Sequence, residues 1–260
     1  MDIVSRALIL MYHSVDEPRS PVESRYCVRP NAFRAQMAEI LRLGYQPIGV
    51  SDLASSIRDG RPPPTPSVAI TFDDGFECFA RNGLPVLEAL HIPATVFAVA
   101  GLLGGTNTWM QERGWPERRL LSAGELREVQ RHGVTVGCHS LSHVPLTQIS
   151  VASLAAETLQ AREVLSDALG SDVTLFAYPH GAQSERERQA VAASGYLAAC
   201  STRSGFNGAG EDLFALRRID IYGSDGLAAF RRKLQFGANR VGYRDLGRYY
   251  LHRFSARLHG

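Results

Sequence analysis

The chain has 260 residues, a mass of 28.5 kDa and a formal net charge of +2, with 45% hydrophobic and 21% charged residues. That balance is ordinary for a globular domain with a sizeable core, and it excludes intrinsic disorder, a collagen-like repeat and a disulfide-stapled mini-protein. The near-neutral charge argues against nucleic acid as the main partner, although 27 of the 28 basic side chains are Arg and one is Lys233.

In chain order, short β-rich runs alternate with helical stretches. Strands are expected at Ala7–Tyr12, Ser67–Phe72, Ala94–Val99, Val134–Cys138, Val173–Tyr178 and Tyr196–Cys200. Several are almost continuously apolar, as parallel strands covered on both faces are. Between them, Asn31–Leu43 carries Phe33, Met37, Ile40 and Leu41 on one helical face and stops at Gly44. Ser122 and Glu125 have capping-box spacing and open a helix that ends before Gly133, and Val151–Leu169 reads as one long amphipathic helix closed by Gly170. This βαβα order calls for a parallel α/β sheet in a single domain, either open or closed as a barrel. The Pro-rich segment 61–66 reads as a stiff loop rather than a domain linker. Cys27, Cys78, Cys138 and Cys200 are scattered and form no CxxC pair, which fits buried thiols in a reducing compartment. With no signal-peptide core and no apolar run long enough to span a bilayer, the expected location is cytoplasmic.

Four strand ends carry the chemistry. Ser67-Val-Ala-Ile-Thr-Phe-Asp-Asp-Gly75 runs an apolar strand into two adjacent carboxylates. In parallel α/β folds the C-terminal strand ends collect catalytic groups, and adjacent side chains there diverge, so Asp73 and Asp74 can do different work. Alone, an Asp-Asp-Gly is equally a capped strand-to-helix turn. Val136-Gly-Cys-His139-Ser-Leu-Ser-His143 places two histidines at i and i+4, a spacing that on one helical turn lets both imidazoles reach a single metal. Asp74 is a suitable third ligand. Leu175-Phe-Ala-Tyr-Pro-His-Gly181 ends a strand in a rigid turn holding Tyr178, Pro179, His180 and Gly181, and Ile9-Leu-Met-Tyr-His13 ends one in a histidine; each alone is also a bland loop.

Taken together, TFDDG, HSLSH and FAYPHG resemble the polysaccharide deacetylases, metal-dependent carbohydrate esterases that include chitooligosaccharide deacetylases. The resemblance spans roughly residues 7–222, and the opening LMYHS is most similar to the poly-N-acetylglucosamine deacetylase branch. It implies a distorted, incomplete (β/α) barrel with a divalent metal in its mouth. It further implies Asp73 as general base, Asp74, His139 and His143 as metal ligands, His13 as general acid, and the His180 N–H as an oxyanion donor. Many members place an arginine where this chain has Ala177; Arg218, in Leu216-Arg-Arg-Ile219, is the candidate to orient the base instead. The family's Asp-x-x-Asp-Trp element is not evident, which leaves open what orients His13.

For such a nitrogen and oxygen ligand set zinc is the first expectation, with nickel, cobalt and iron as alternatives. Asn107 and Trp109, in Thr106-Asn-Thr-Trp109 following a strand end, are candidates for a sugar-stacking face, a structural Trp being the alternative, and Tyr178, Pro179 and Gly181 are further candidate substrate contacts. The expected activity is removal of N-acetyl groups from an N-acetylglucosamine-type oligosaccharide, polysaccharide or lipid-linked glycan. An acetyl-ester or other non-peptide C–N hydrolase is the alternative within enzymes, and an inactive carbohydrate-binding barrel the alternative outside them.

The charge is unevenly distributed. Residues 227–260 contain eight basic side chains against Asp245 alone, interleaved with aromatics, while residues 1–226 net −5. The expectation is a catalytic barrel over 1–226 followed by a basic, aromatic helical segment over 227–260. That segment either packs on the barrel or makes peripheral contact with an anionic membrane at its inner face.

Overall fold

The computed structural model describes residues 6–240. Its main sheet is parallel throughout. It is built from β1 (Ala7–Tyr12), β4 (Gln46–Pro47), β5 (Ser67–Phe72), β6 (Ala94–Ala98), β7 (Thr135–Cys138), β8 (Leu175–Ala177), β9 (Ala198–Cys200) and β10 (Ile219–Asp220). The strand order is β10-β1-β5-β6-β7-β8-β9, with β4 pairing β5. A small separate ribbon, β2 (Ser14–Val15) and β3 (Cys27–Val28), hangs from the end of β1.

The sheet curls into an incomplete barrel because the period-2 alternation of each strand serves two apolar environments. Leu8, Leu10, Val68, Ile70 and Phe72 face outward into the large core beneath the helices. Ala7, Ile9, Ala69, Phe97, Leu175 and Ala177 face inward and fill the barrel with mostly small side chains. At Gly137 an added Cβ would lie 2.5 Å from the Phe97 ring, so glycine there lets that ring cross the interior. No ladder joins β9 to β10. Instead one strip of chain lies across the open side: Ala199 N–H donates to Leu213 O, Leu216 N–H to Ala199 O, and Leu10 pairs with Ile219.

Helices α1 (Pro30–Arg42), α2 (Val50–Arg58), α3 (Leu84–Ala89), α4 (Ala123–Arg131), α5 (Val151–Ala155), α6 (Ala161–Leu169), α7 (Glu185–Ala193) and α8 (Leu227–Phe236) surround the sheet. The box predicted for α4 is present: Glu125 N–H donates to Ser122 Oγ, and Ser122 N–H donates back to Glu125 at 2.8 Å. The single helix expected over 151–169 is instead broken by a π-helical turn, Ala156–Gln160, between α5 and α6. The hydrophobic pattern runs through this turn unchanged, which is why periodicity alone does not reveal it.

In α8, Phe230 and Leu234 are buried, Arg231 bonds Glu39 of α1, and Lys233 Nζ donates to Asp225 and to the Asp220 carbonyl. The rest of the basic segment, residues 241–260, lies outside the described residues, so the membrane expectation concerns mostly chain that is not described here. Among the described residues no helix is long and apolar enough to cross a membrane. All four cysteines are buried and free.

Candidate active site

Strand parity delivers the site. Asp73 continues the inward face of Ala69 and Thr71, and His13 continues that of Ile9 and Met11, so both side chains sit over the barrel mouth. Asp73 N–H extends the β1–β5 ladder by donating to Tyr12 O at 2.9 Å. At Asp74 the chain turns sharply. Its φ is +70°, as is that of Gly75, and an added Cβ on Gly75 would press on Ala98 at 3.3 Å. A left-handed aspartate is costly and is held here only because the surroundings over-determine it.

The histidine pair meets by a route different from the one its spacing predicts. Residues 139–143 form a loop rather than a helical turn, with Ser140 and His143 both at positive φ (65° and 63°). Ser140 Oγ accepts the His143 N–H, and the buried Glu157 clamps the loop from outside. One Glu157 oxygen accepts the N–H groups of Leu141 (2.9 Å) and Ser142 (3.0 Å), and the other accepts the Ser142 hydroxyl. Glu157 lies in the π-helical turn, so the helix irregularity and the loop that carries the histidines form one construction.

One ligand atom from each of Asp74, His139 and His143 lies within 4.8 Å of the others, and all three residues are buried. His139 donates Nδ1–H to the Ala177 carbonyl at 2.8 Å, which fixes its tautomer and turns Nε2 toward Asp74 (3.5 Å). Asp74 Oδ1 is 3.1 Å from His143 Nε2, yet neither Asp74 oxygen makes a hydrogen bond of proper geometry although both are buried. Orphaned carboxylate oxygens facing two ring nitrogens are the arrangement expected around a shared cation, so these residues fit a divalent metal. Burial pushes the His139 imidazole down to about 4, which keeps it neutral and able to ligate. Against its burial, Asp74 is held well below the usual carboxylate range by His143. The Trp109 ring stacks on His143, centroids 4.4 Å apart and planes at 18°.

Asp73 has a different partner. Both its oxygens are taken by the Arg218 guanidinium, Oδ1 by Nη1 at 2.6 Å and Oδ2 by Nη2 at 2.8 Å. Arg218 is fully buried, and its Nε donates to the Ser201 carbonyl. Burial by itself raises the Asp73 carboxyl, but the adjoining guanidinium outweighs it and the net direction is down.

Asp73, Asp74, His139 and His143 share a cavity of about 410 Å³ that His13, His180 and Tyr178 also line. His180 takes φ +58° at the tip of its turn, which Gly181 and Ala182 close by bonding back to Tyr178 and Pro179. Burial, then His143, pushes the His180 imidazole down to about 4. The Tyr178 hydroxyl is committed to the Phe214 carbonyl.

Not every candidate reaches the cavity. Asn107 is buried and uses its amide within its own loop, accepting from Arg118 N–H and donating to the Pro116 carbonyl. Trp109 stacks on His143 without lining the cavity, and Pro179 and Gly181 shape the turn without lining it; a Cβ on Gly181 would strike Thr202. The aromatic wall is instead Tyr26, Trp115 and Tyr222, with Tyr26 4.9 Å from the His13 ring and 5.9 Å from that of Trp115. Sequence reasoning passed these over because they stand on irregular loops, where no periodicity marks an inward face.

A family model described as polysaccharide deacetylase matches residues 60–199. The chain belongs to the polysaccharide deacetylase family. Within that family it is 24% identical over 213 residues to YxkH of Bacillus subtilis, a protein carrying the polysaccharide deacetylase name, covering 82% of this chain and 70% of the relative. It is also 34% identical over 93 residues to the poly-β-1,6-N-acetyl-D-glucosamine N-deacetylase of Escherichia coli, covering 35% of this chain and 13% of that protein. Among solved structures, the Streptococcus pyogenes deacetylase PplD in complex with acetate superposes with a TM-score of 0.76 at 23% identity, over 89% of this chain and 99% of that one. The barrel is therefore the deacetylase barrel, and the chain is a sugar deacetylase enzyme.

Proposed function

We propose that this deacetylase hydrolyses the N-acetyl group of an N-acetylglucosamine-type saccharide, with a divalent metal, zinc as first expectation, held by Asp74, His139 and His143. The observation that supports this most strongly is the pairing, in one cavity, of a buried cradle with orphaned carboxylate oxygens and a second carboxylate held by its own arginine.

An amide is a poor electrophile, so its hydrolysis needs an activated water, a polarised carbonyl and a protonated leaving amine. A bound divalent cation would supply the acidified water and a positive charge opposite the developing oxyanion. Asp73 is the base that accepts the water's proton. Arg218 keeps it ionised and fixes its orientation, at some cost in basicity. His13, across the mouth and packed on Tyr26, donates its proton to the departing amine nitrogen. The His180 N–H, presented by its left-handed turn, stabilises the oxyanion.

The test is acetate release from N-acetylglucosamine oligomers by metal-loaded protein, with loss of turnover on chelation and recovery on adding zinc. Release from acetyl esters with none from acetamides would replace this reading with an esterase. Binding of the oligomers without any release would replace it with a silent barrel.

A further inference from the structure

Two arginines at the mouth of the cavity have no part in the proposed chemistry. Of the three acids that line it, Asp73 is matched by Arg218 and Asp74 belongs to the candidate metal cradle, while Asp220 accepts from the Asn239 amide and the Tyr222 hydroxyl, keeps its charge and attracts Arg25 from beyond ion-pair distance. The two arginines, Arg25 and Arg113, line the same mouth and are exposed. Among the described side chains no carboxylate pairs with either of them.

Arg25 is not a loose surface residue. Its guanidinium lies 4.5 Å from the Tyr222 ring centre and 5.4 Å from that of Tyr26, and Nη2 donates to the Tyr222 hydroxyl at 3.1 Å. Its carbonyl accepts the Gly223 N–H at 2.9 Å. The turn that carries it, Glu23–Arg25, is anchored from below by a buried ion pair: Arg118 Nε donates to Glu23, and Arg118 Nη1 donates to Asp16 at 2.6 Å. Arg118 directly follows the loop that bears Arg113 and Trp115, so one buried guanidinium ties together the two loops that carry the free ones. Arg113 lines the same cavity as Arg25 and His180. A cavity with aromatic walls for a sugar face and two exposed guanidiniums at its rim, one of them held on that wall and neither in an ion pair with a described carboxylate, is complementary to a saccharide that is itself acidic.

We propose that Arg25 and Arg113 read a negative charge on the substrate, so that the preferred substrate of the deacetylation proposed above is an anionic N-acetylated saccharide, bearing a carboxylate or a phosphate ester close to the acetamido sugar. This rests on the deacetylase reading of the site for its chemistry but not for its charge. Two exposed guanidiniums acting on one anion give a preference of about fivefold, the size exposed ion pairs reach together.

The experiment compares kcat/KM of metal-loaded protein on three acetamido substrates. These are a neutral N-acetylglucosamine tetramer, a tetrasaccharide alternating N-acetylglucosamine with glucuronate, and an N-acetylglucosamine oligomer bearing a terminal phosphate ester. The expected result is about a fivefold preference for an acidic substrate, residing in KM and collapsing in about 0.5 M salt, where screening shortens to a few ångströms. The double variant R25Q/R113Q loses the preference and R25K/R113K retains most of it. Whether the uronate or the phosphate gains more identifies the source of the charge.

Equal kcat/KM on neutral and acidic substrates, or a preference that survives in R25Q/R113Q, overturns the inference while leaving the deacetylase reading intact. If no substrate releases acetate, that reading fails and binding decides the inference separately. Chelator-treated protein should bind the uronate tetrasaccharide more tightly than the neutral tetramer, measured by isothermal titration calorimetry, with the difference abolished in R25Q/R113Q. Equal binding overturns it.

Discussion

Asp73 and Asp74 are neighbours in the chain and almost equally buried, yet one faces a guanidinium and the other faces two imidazoles. The contrast yields opposite expectations for two minimal substitutions. Asp73→Asn should lower turnover by about 10³-fold or more, as removal of a general base does, while zinc binding measured by equilibrium dialysis stays close to that of the parent. Asp74→Ala should lose zinc first and activity as a result; retained metal with lost turnover would exchange the two roles. Arg218→Ala leaves Asp73 buried without its partner and should destabilise the fold by about 3 kcal/mol in denaturant unfolding. Asp73, Asp74 and His139 were legible because they directly follow apolar strands, and His143 because of its spacing from His139. Arg218 was legible only as a candidate: it stands 145 residues from Asp73 in sequence, on a strip of chain with no periodicity. Trp115, Tyr26 and Tyr222 carried no signal at all.

At the scale of elements, the pair at i and i+4 pointed to the right residues for the wrong geometric reason. A helical turn would have aligned the imidazoles passively. The observed loop needs two left-handed residues and an external carboxylate to hold it, and the carboxylate comes from a π-helical turn that a 3.6-residue pattern cannot distinguish from ordinary helix. Glu157 is therefore predicted to matter to the metal although it touches none of the three ligand side chains. Glu157→Ala should weaken zinc affinity about tenfold or more, in the range found when groups supporting metal ligands are removed, with the circular dichroism spectrum unchanged. Affinity equal to that of the parent in a zinc titration would make Glu157 a fold residue only. The strands were legible to within a residue or two at each end, since β-branched apolar runs between helices have few other interpretations. The short β10 was missed because two residues cannot display alternation.

For the molecule as a whole, the perturbed groups predict how the metal-free protein responds to pH. His139 and His180 titrate near 4 when folded against an ordinary 6.5, so the unfolded chain takes up their protons first as pH falls. The stability they contribute is complete above about pH 6.5 and is lost progressively toward pH 4. Below that the depressed carboxylates act in the same direction: Asp73, Asp74, and Glu39, which Arg42 and Arg231 hold at about 2. The melting temperature of chelator-treated protein should thus fall by at least about 3 °C between pH 7 and pH 4.5, and more steeply below. A flat profile across that interval would mean that the two histidines are not held neutral by the fold.

The strip of chain that crosses the open side of the barrel divides the candidate site by chain order. Asp74, His139 and His143, the Glu157 clamp and the Ala177 carbonyl that orients His139 all precede the strip, whereas Asp73 depends on Arg218, and the aromatic wall on Tyr222, from the strip and its far end. That strip, later in the chain than every residue of the candidate metal cradle, also brings Arg218 to Asp73, so the candidate site is whole only when the open side of the barrel is covered.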